Sequence, residues 1–230
     1  MKNLNLLVLV ASITFVFSSC SSNETILPEE QSLDLLKTYT IKRDASGAYS
    51  LDFDLNNGGK AEKVLNTETK TNQIYLYSSD DQSSSRVTQD LTIEGTQLKV
   101  GFVDTTSDKL PQIMITDDNP KLLSKNNNKK LNDYSITSNG DGTYSLDFNV
   151  KRNVKVDFVY NNELSVYEVH LEDGKSKSTS FTRVLENEDG KPLKVDFVNH
   201  NRNSNKGEES LAYSIIRKPK VTVGEGSISL

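Results

Sequence analysis

The segment Tyr134–Val150 reads YSITSNGDGTYSLDFNV, and its centre, Tyr144-Ser145-Leu146-Asp147-Phe148, alternates large apolar and polar residues without a break. A period of two puts Tyr, Leu and Phe on one side of an extended chain and Ser and Asp on the other, the pattern of a strand covered on one face only. The same string stands earlier: Tyr39–Leu55 reads YTIKRDASGAYSLDFDL, and Tyr49–Phe53 is identical to Tyr144–Phe148. A shift of 95 residues, Tyr39 onto Tyr134, aligns the two. It also carries Gly95 onto Gly190, Leu98-Lys99-Val100 onto Leu193-Lys194-Val195, and Phe102-Val103 onto Phe197-Val198. One register held over that distance identifies two copies of one supersecondary unit. Two copies fall short of the three or more that an open solenoid needs, which leaves two tandem domains or two halves of one structure.

Other segments share the alternation, among them Val154–Phe158 and Tyr167–Leu171. Half-covered strands of this kind belong to antiparallel sheets. The breaks carry turn residues: Asn57-Gly58-Gly59, Asn139-Gly140-Asp141-Gly142, Asp173-Gly174 and Asp189-Gly190-Lys191-Pro192, where Gly takes positive φ and Asn or Asp tolerates it. The expectation is an all-β fold of two homologous antiparallel meander modules, either small sandwiches or two halves of a barrel-like sheet. The first copy is expected to place strands near 38–43, 48–55, 61–66, 73–78, 86–93, 97–103 and 111–116, and the second to repeat them with a longer loop at His200–Glu209. Module 1 spans 33–116 and module 2 spans 133–223. The polar stretch 117–132, with Pro120 and an Asn tract, reads as a linker. Val221–Val223 is a short strand candidate, and 224–230 reads as a disordered tail.

The chain has 230 residues, 34% hydrophobic and 26% charged, with one Cys, two His and no Trp. One Cys excludes an intramolecular disulfide, and one Cys with two His excludes a four-ligand structural zinc site of Cys and His. A net charge of −5 gives no basic footprint for nucleic acid. No nucleophile elbow, P-loop or dinucleotide turn occurs. The acidic turns miss the calcium-loop pattern. No cofactor is expected.

The single Cys has a context. Met1–Cys20 reads MKNLNLLVLVASITFVFSSC: Lys2, then an apolar run to Phe17, then Ser18 and Ser19 before Cys20. A basic start, a short apolar core and a small-residue exit make a secretory signal peptide, 1–19, and the run is too short to read as a spanning helix. The arrangement resembles a bacterial lipoprotein signal, which implies that Cys20 becomes the lipidated first residue of the mature chain. Phe17 departs from the Leu more usual at that position. The polar segment 20–32 then reads as a flexible tether. Ser21, rather than Asp, after the Cys points to the outer membrane in the enteric scheme. Glu24, Glu29 and Glu30 loosely resemble the acidic surface-export signals of Bacteroidetes lipoproteins.

Candidate chemistry in the body is sparse. His170 alternates out of its strand and aligns with Tyr75; His200 falls in a polar stretch and aligns with Thr105. Neither has a partner at a triad-like spacing, so both read as surface residues. Asp52 and Asp147 are equivalent and read as solvent-facing. Tyr75, Tyr77 and Tyr160 are the candidate ligand-contact aromatics, with Tyr75 and Tyr77 opposite Ile74 and Leu76. The functional expectation is a lipid-anchored cell-envelope lipoprotein at the outer membrane, its periplasmic or surface face undecided. It would act as a non-enzymatic binding or structural module with a protein partner and no nucleic acid. The alternatives are a carrier of lipid or a small hydrophobic ligand in an open barrel, and a glycan-binding surface lipoprotein.

Overall fold

The computed structural model describes residues 35–56, 58–79, 85–105, 111–118, 130–187 and 191–200, and the backbone of 210–217. Alternation becomes strand throughout. The first copy forms β1 (Leu36–Arg43), β2 (Tyr49–Leu55), β3 (Lys60–Asn66), β4 (Thr71–Tyr77), β5 (Ser85–Leu91), β6 (Leu98–Asp104) and β7 (Ile113–Asp117). The second forms β8 (Leu131–Ser138), β9 (Thr143–Val150), β10 (Val154–Asn161), β11 (Val166–Asp173), β12 (Ser180–Glu186), β13 (Leu193–His200) and β14 (Ser210–Arg217). The seven strands expected in the first copy are the seven observed, and no helix occurs among the described residues. The signal segment and tether, most of the linker, the 201–209 loop, the Val221–Val223 strand candidate and the tail lie outside the described residues.

The strands make two open sheets. One has the order β12-β9-β8-β1-β2-β5, the other β10-β11-β13-β14-β7-β6-β4-β3. Read in repeat positions, both orders are palindromes: each copy gives three strands to the first sheet and four to the second, and the copies join through β1–β8 and β7–β14. The tandem repeat therefore builds one body, Ser32–Leu230, rather than two beads. The 117–132 linker does not divide it, because β7 runs to Asp117 and pairs with β14, while Lys130 and Leu131 already belong to the packed interior.

One feature of each copy departs from a simple meander. β5 leaves for the first sheet to pair with β2, so β4 and β6 meet as parallel neighbours. β12 does the same, and β11 and β13 become parallel. The edge strand β5 carries polar residues at alternate positions and flanks the inner pair β1–β2, whose apolar positions are nearly all buried.

The interior lies between the sheets. Tyr39 and Phe53 from the first sheet converge on Phe102 of the second, at ring separations of 5.5 and 5.6 Å. Their repeat equivalents Tyr134 and Phe148 converge on Phe197 at 5.3 and 5.5 Å. The core is thus duplicated down to its aromatic contacts, each worth about 0.5–1.5 kcal/mol beyond area burial. The β4–β6 half is packed on its outer side too. At Gly101 a Cβ would come within 3.0 Å of the Pro111 ring and 3.1 Å of Met114 Sδ, so only glycine admits this approach.

Candidate functional site

A duplicated body gives an internal control, because what the fold requires recurs at both copies. Three clusters break the repeat.

The first is buried. Asp117, at the end of β7, receives hydrogen bonds from the hydroxyls of Tyr49 and Tyr134, the latter at 2.5 Å. All three side chains are at most 3% exposed. Burial first, and then the charge on Asp117, pushes both tyrosines well above the ordinary phenol range. Arg43, 1% exposed, lies beside them with its guanidinium 5.8 Å from the centre of the Tyr49 ring. Its Nη1 donates to the Asp44 carbonyl at 3.2 Å, while Nε and Nη2 meet no acceptor. In the second copy Ser138 stands where Arg43 does, and Ile215 occupies the ladder position of Asp117. The cluster joins β2 and β8 of one sheet to β7 of the other and is shut off from solvent.

The second cluster corrects the reading of the histidines. His170 and His200 are not isolated surface residues, and His200 is the last residue of β13 rather than part of a loop. His170 Nδ1 and His200 Nε2 stand 2.6 Å apart with the rings stacked, and His170 Nε2 meets Glu168 Oε2 at 2.9 Å. Asn161 Nδ2 donates to the other Glu168 oxygen at 2.9 Å. Lys130, 4% exposed, donates to the carbonyls of His200 and Leu171 and pairs with Asp173 at 3.5 Å. Asp196 stands opposite Glu168 in the parallel β11–β13 ladder. Burial first, and the Glu168 charge second, pushes its carboxyl up to about 6. The first copy has Gln73, Tyr75, Gly101 and Thr105 at the positions of Glu168, His170, Asp196 and His200. Sequence reasoning missed this cluster because β11 and β13 are not consecutive strands, and only their parallel pairing brings the two rings together. Among the described residues no three His, Cys, Asp or Glu side chains are placed to hold a metal ion.

The third is a groove of about 350 Å³ on the solvent side of the six-stranded sheet, at the seam between the copies. Lys42, Asp44 and Ala45 line it from the first copy; Asp133, Tyr134, Ser135, Asp147 and Asn149 line it from the second. Its walls are braced. Asp147 accepts from Thr182 at 2.5 Å, Asn149 donates to Asp133 at 2.6 Å, and Ser180 donates to Asn149 at 2.6 Å. Asp44 accepts from Ser46 N and Oγ and from Ala48 N, and the Ser46 hydroxyl leads the effects that lower its carboxyl below the usual range.

The expected contact residues are scattered. Tyr75 and Tyr77 lie on the outer side of the eight-stranded sheet, opposite the buried Ile74 and Leu76. Tyr75 donates to Gln73 at 2.9 Å and Tyr77 to Glu62 at 3.4 Å. Tyr160 is elsewhere, its ring 4.7 Å from that of Tyr167 at the opposite edge of that sheet. The three tyrosines form no common platform. Asp52 and Asp147 sit on the polar side of the other sheet, each accepting from a threonine of the neighbouring edge strand. Cys20 lies outside the described residues. Comparisons with family models, curated proteins and solved structures return no match.

Proposed function

We propose that the chain is a lipid-anchored cell-envelope lipoprotein, held at the outer membrane through Cys20, whose two-sheet body is a non-enzymatic binding or structural module with a protein partner. The observation that carries this reading is the filled interior. Tyr39, Phe53 and Phe102, with Tyr134, Phe148 and Phe197, occupy the space between the sheets in ring-to-ring contact. A carrier of lipid needs that space, so contact through the outer faces is the better supported use of the body. Both ring nitrogens of His170 are engaged, by His200 and by Glu168, so this imidazole offers no free nitrogen to a substrate.

The test is a Cys20→Ala variant followed by membrane fractionation and by cross-linking in intact cells. The expected outcome is release from the membrane and loss of the cross-linked species formed by the unaltered chain. A variant that stays membrane-bound, with its cross-links unchanged, overturns the anchored reading.

A further inference from the structure

The two ends of the β1–β8 seam are equivalent in the repeat but differ in shape. At one end β8 stops at Ser138 and β1 runs on; Gly140, at φ 81°, brings the following turn onto the Lys37 backbone, and a Cβ there would lie 3.2 Å from the Lys37 carbonyl oxygen. At the other end β1 stops at Arg43 and β8 runs on to Leu131, but the residue equivalent to Gly140 is Ala45. Ala45 has no positive φ, its turn does not take the Gly140 conformation, and the groove lies at this end.

We propose that this groove is a binding site for a neutral, hydroxyl-rich ligand of the saccharide class. The proposal goes beyond the function proposed above, which requires only contact with a partner protein. Lys42, Ser135 and Asp147 stand in one row across β1, β8 and β9, with Asp133 and Asn149 in the next. Three carboxylates against one ammonium turn away phosphates and acidic sugars, and a wholly apolar ligand would strip water from these charged groups without giving them a partner. The same carboxylates attract a free amine, which the Lys42 ammonium in the same row opposes, and spermidine tests that occupant. Sugar hydroxyls both donate and accept, so neighbouring hydroxyls can give to Asp133 and Asp147 while accepting from Lys42 and Ser135. The hydrogen bonds from Thr182 and Asn149 hold the two carboxylates in place, which lowers the ordering cost of binding. The volume lies at the lower end of the range of about 300–1,000 Å³ for small-ligand sites.

The test is titration of the full chain in detergent with cellobiose, maltose, lactose and chitobiose, followed by saturation-transfer NMR and calorimetry, with spermidine and glucose 6-phosphate as charged counter-probes. At least one neutral disaccharide is expected to bind. Asp147→Ala should weaken it about tenfold or more, the loss of one charged hydrogen bond, and Ala45→Gly should weaken it by letting the turn close. Asp52→Ala, at the equivalent position on the other side of the seam, should leave it unchanged. The proposal is overturned if none of the four disaccharides binds, if only a charged probe binds, or if Asp52→Ala costs as much as Asp147→Ala. Such a failure leaves the membrane and cross-linking test of the anchored module untouched.

Discussion

Ile41 and Ile136, equivalent residues of the two copies, stand directly opposite each other in the β1–β8 ladder. Thr116 and Ser214, equivalent through their ladder positions, do the same in β7–β14. Equivalent residues can face one another in an antiparallel pair only about a local two-fold axis, so within each sheet the two copies are related by a pseudo-two-fold. A symmetric dimer of single copies would use such self-matching contacts; here one chain supplies both halves.

The histidine cluster is an addition to the fold rather than a requirement of it. In the first copy Gln73 and Tyr75 bond to each other at the positions of Glu168 and His170. The double variant Glu168→Gln/His170→Tyr installs that pair. It should fold with stability within about 1 kcal/mol of the original, since one hydrogen-bonded arrangement replaces another. Chemical denaturation measures this; a loss above about 3 kcal/mol would give the histidines a structural role.

Asp117 should behave in the opposite way. Asp117→Leu leaves the buried hydroxyls of Tyr49 and Tyr134 without their acceptor, at an expected cost of about 3 kcal/mol or more. Tyr49→Phe removes one of the two bonds and should cost about 1.5–3 kcal/mol. Equilibrium unfolding of both variants checks the ranking.

Asp196 gives a pH dependence with a definite sign. Its folded carboxyl is pushed up to about 6, so folding penalises its ionised form. That penalty is fully present above about pH 6 and disappears as pH falls below the ordinary carboxylate value near 4. Asp196→Asn should therefore stabilise the protein at about pH 7, by no more than about 1 kcal/mol because the group is only half-buried and solvent screens it. The gain should vanish below about pH 4, as paired melting curves at the two pH values would show.

Gly101→Ala should destabilise by about 1–3 kcal/mol, because the new methyl meets the Pro111 ring and Met114 at close range. The ladder equivalent of Gly101 in β13 is Asp196, so the crowding belongs to the first copy alone. Thermal unfolding of the variant reads it out.

The strands were legible in the sequence because alternation is local: Tyr144–Phe148 declares its buried face without reference to any neighbour. Strand allocation was not, since nothing in β5 or β12 states which sheet its edge will join. Every relationship that depends on that allocation was hidden with it. The His170–His200 contact follows from a parallel pairing created by the departure of β12. The Lys130 contacts follow from β8 starting beside the ends of β11 and β13, in a stretch whose polarity reads as linker. Asp117 reads as the start of that linker as well, and only the β7–β14 pairing shows it to be interior. The groove was equally hidden, since the exchange of Gly140 for Ala45 acquires meaning only once the two turns are known to flank one seam.

That the two copies form one body rather than two beads is tested most directly by scanning calorimetry of the chain from Ser32 onward. The shared sheets predict a single transition whose calorimetric and van't Hoff enthalpies agree, and they predict that Ser32–Asp118 alone is unfolded or self-associated, because β1 and β7 lose their partners. Two separate transitions, or a folded monomer of Ser32–Asp118, would contradict it.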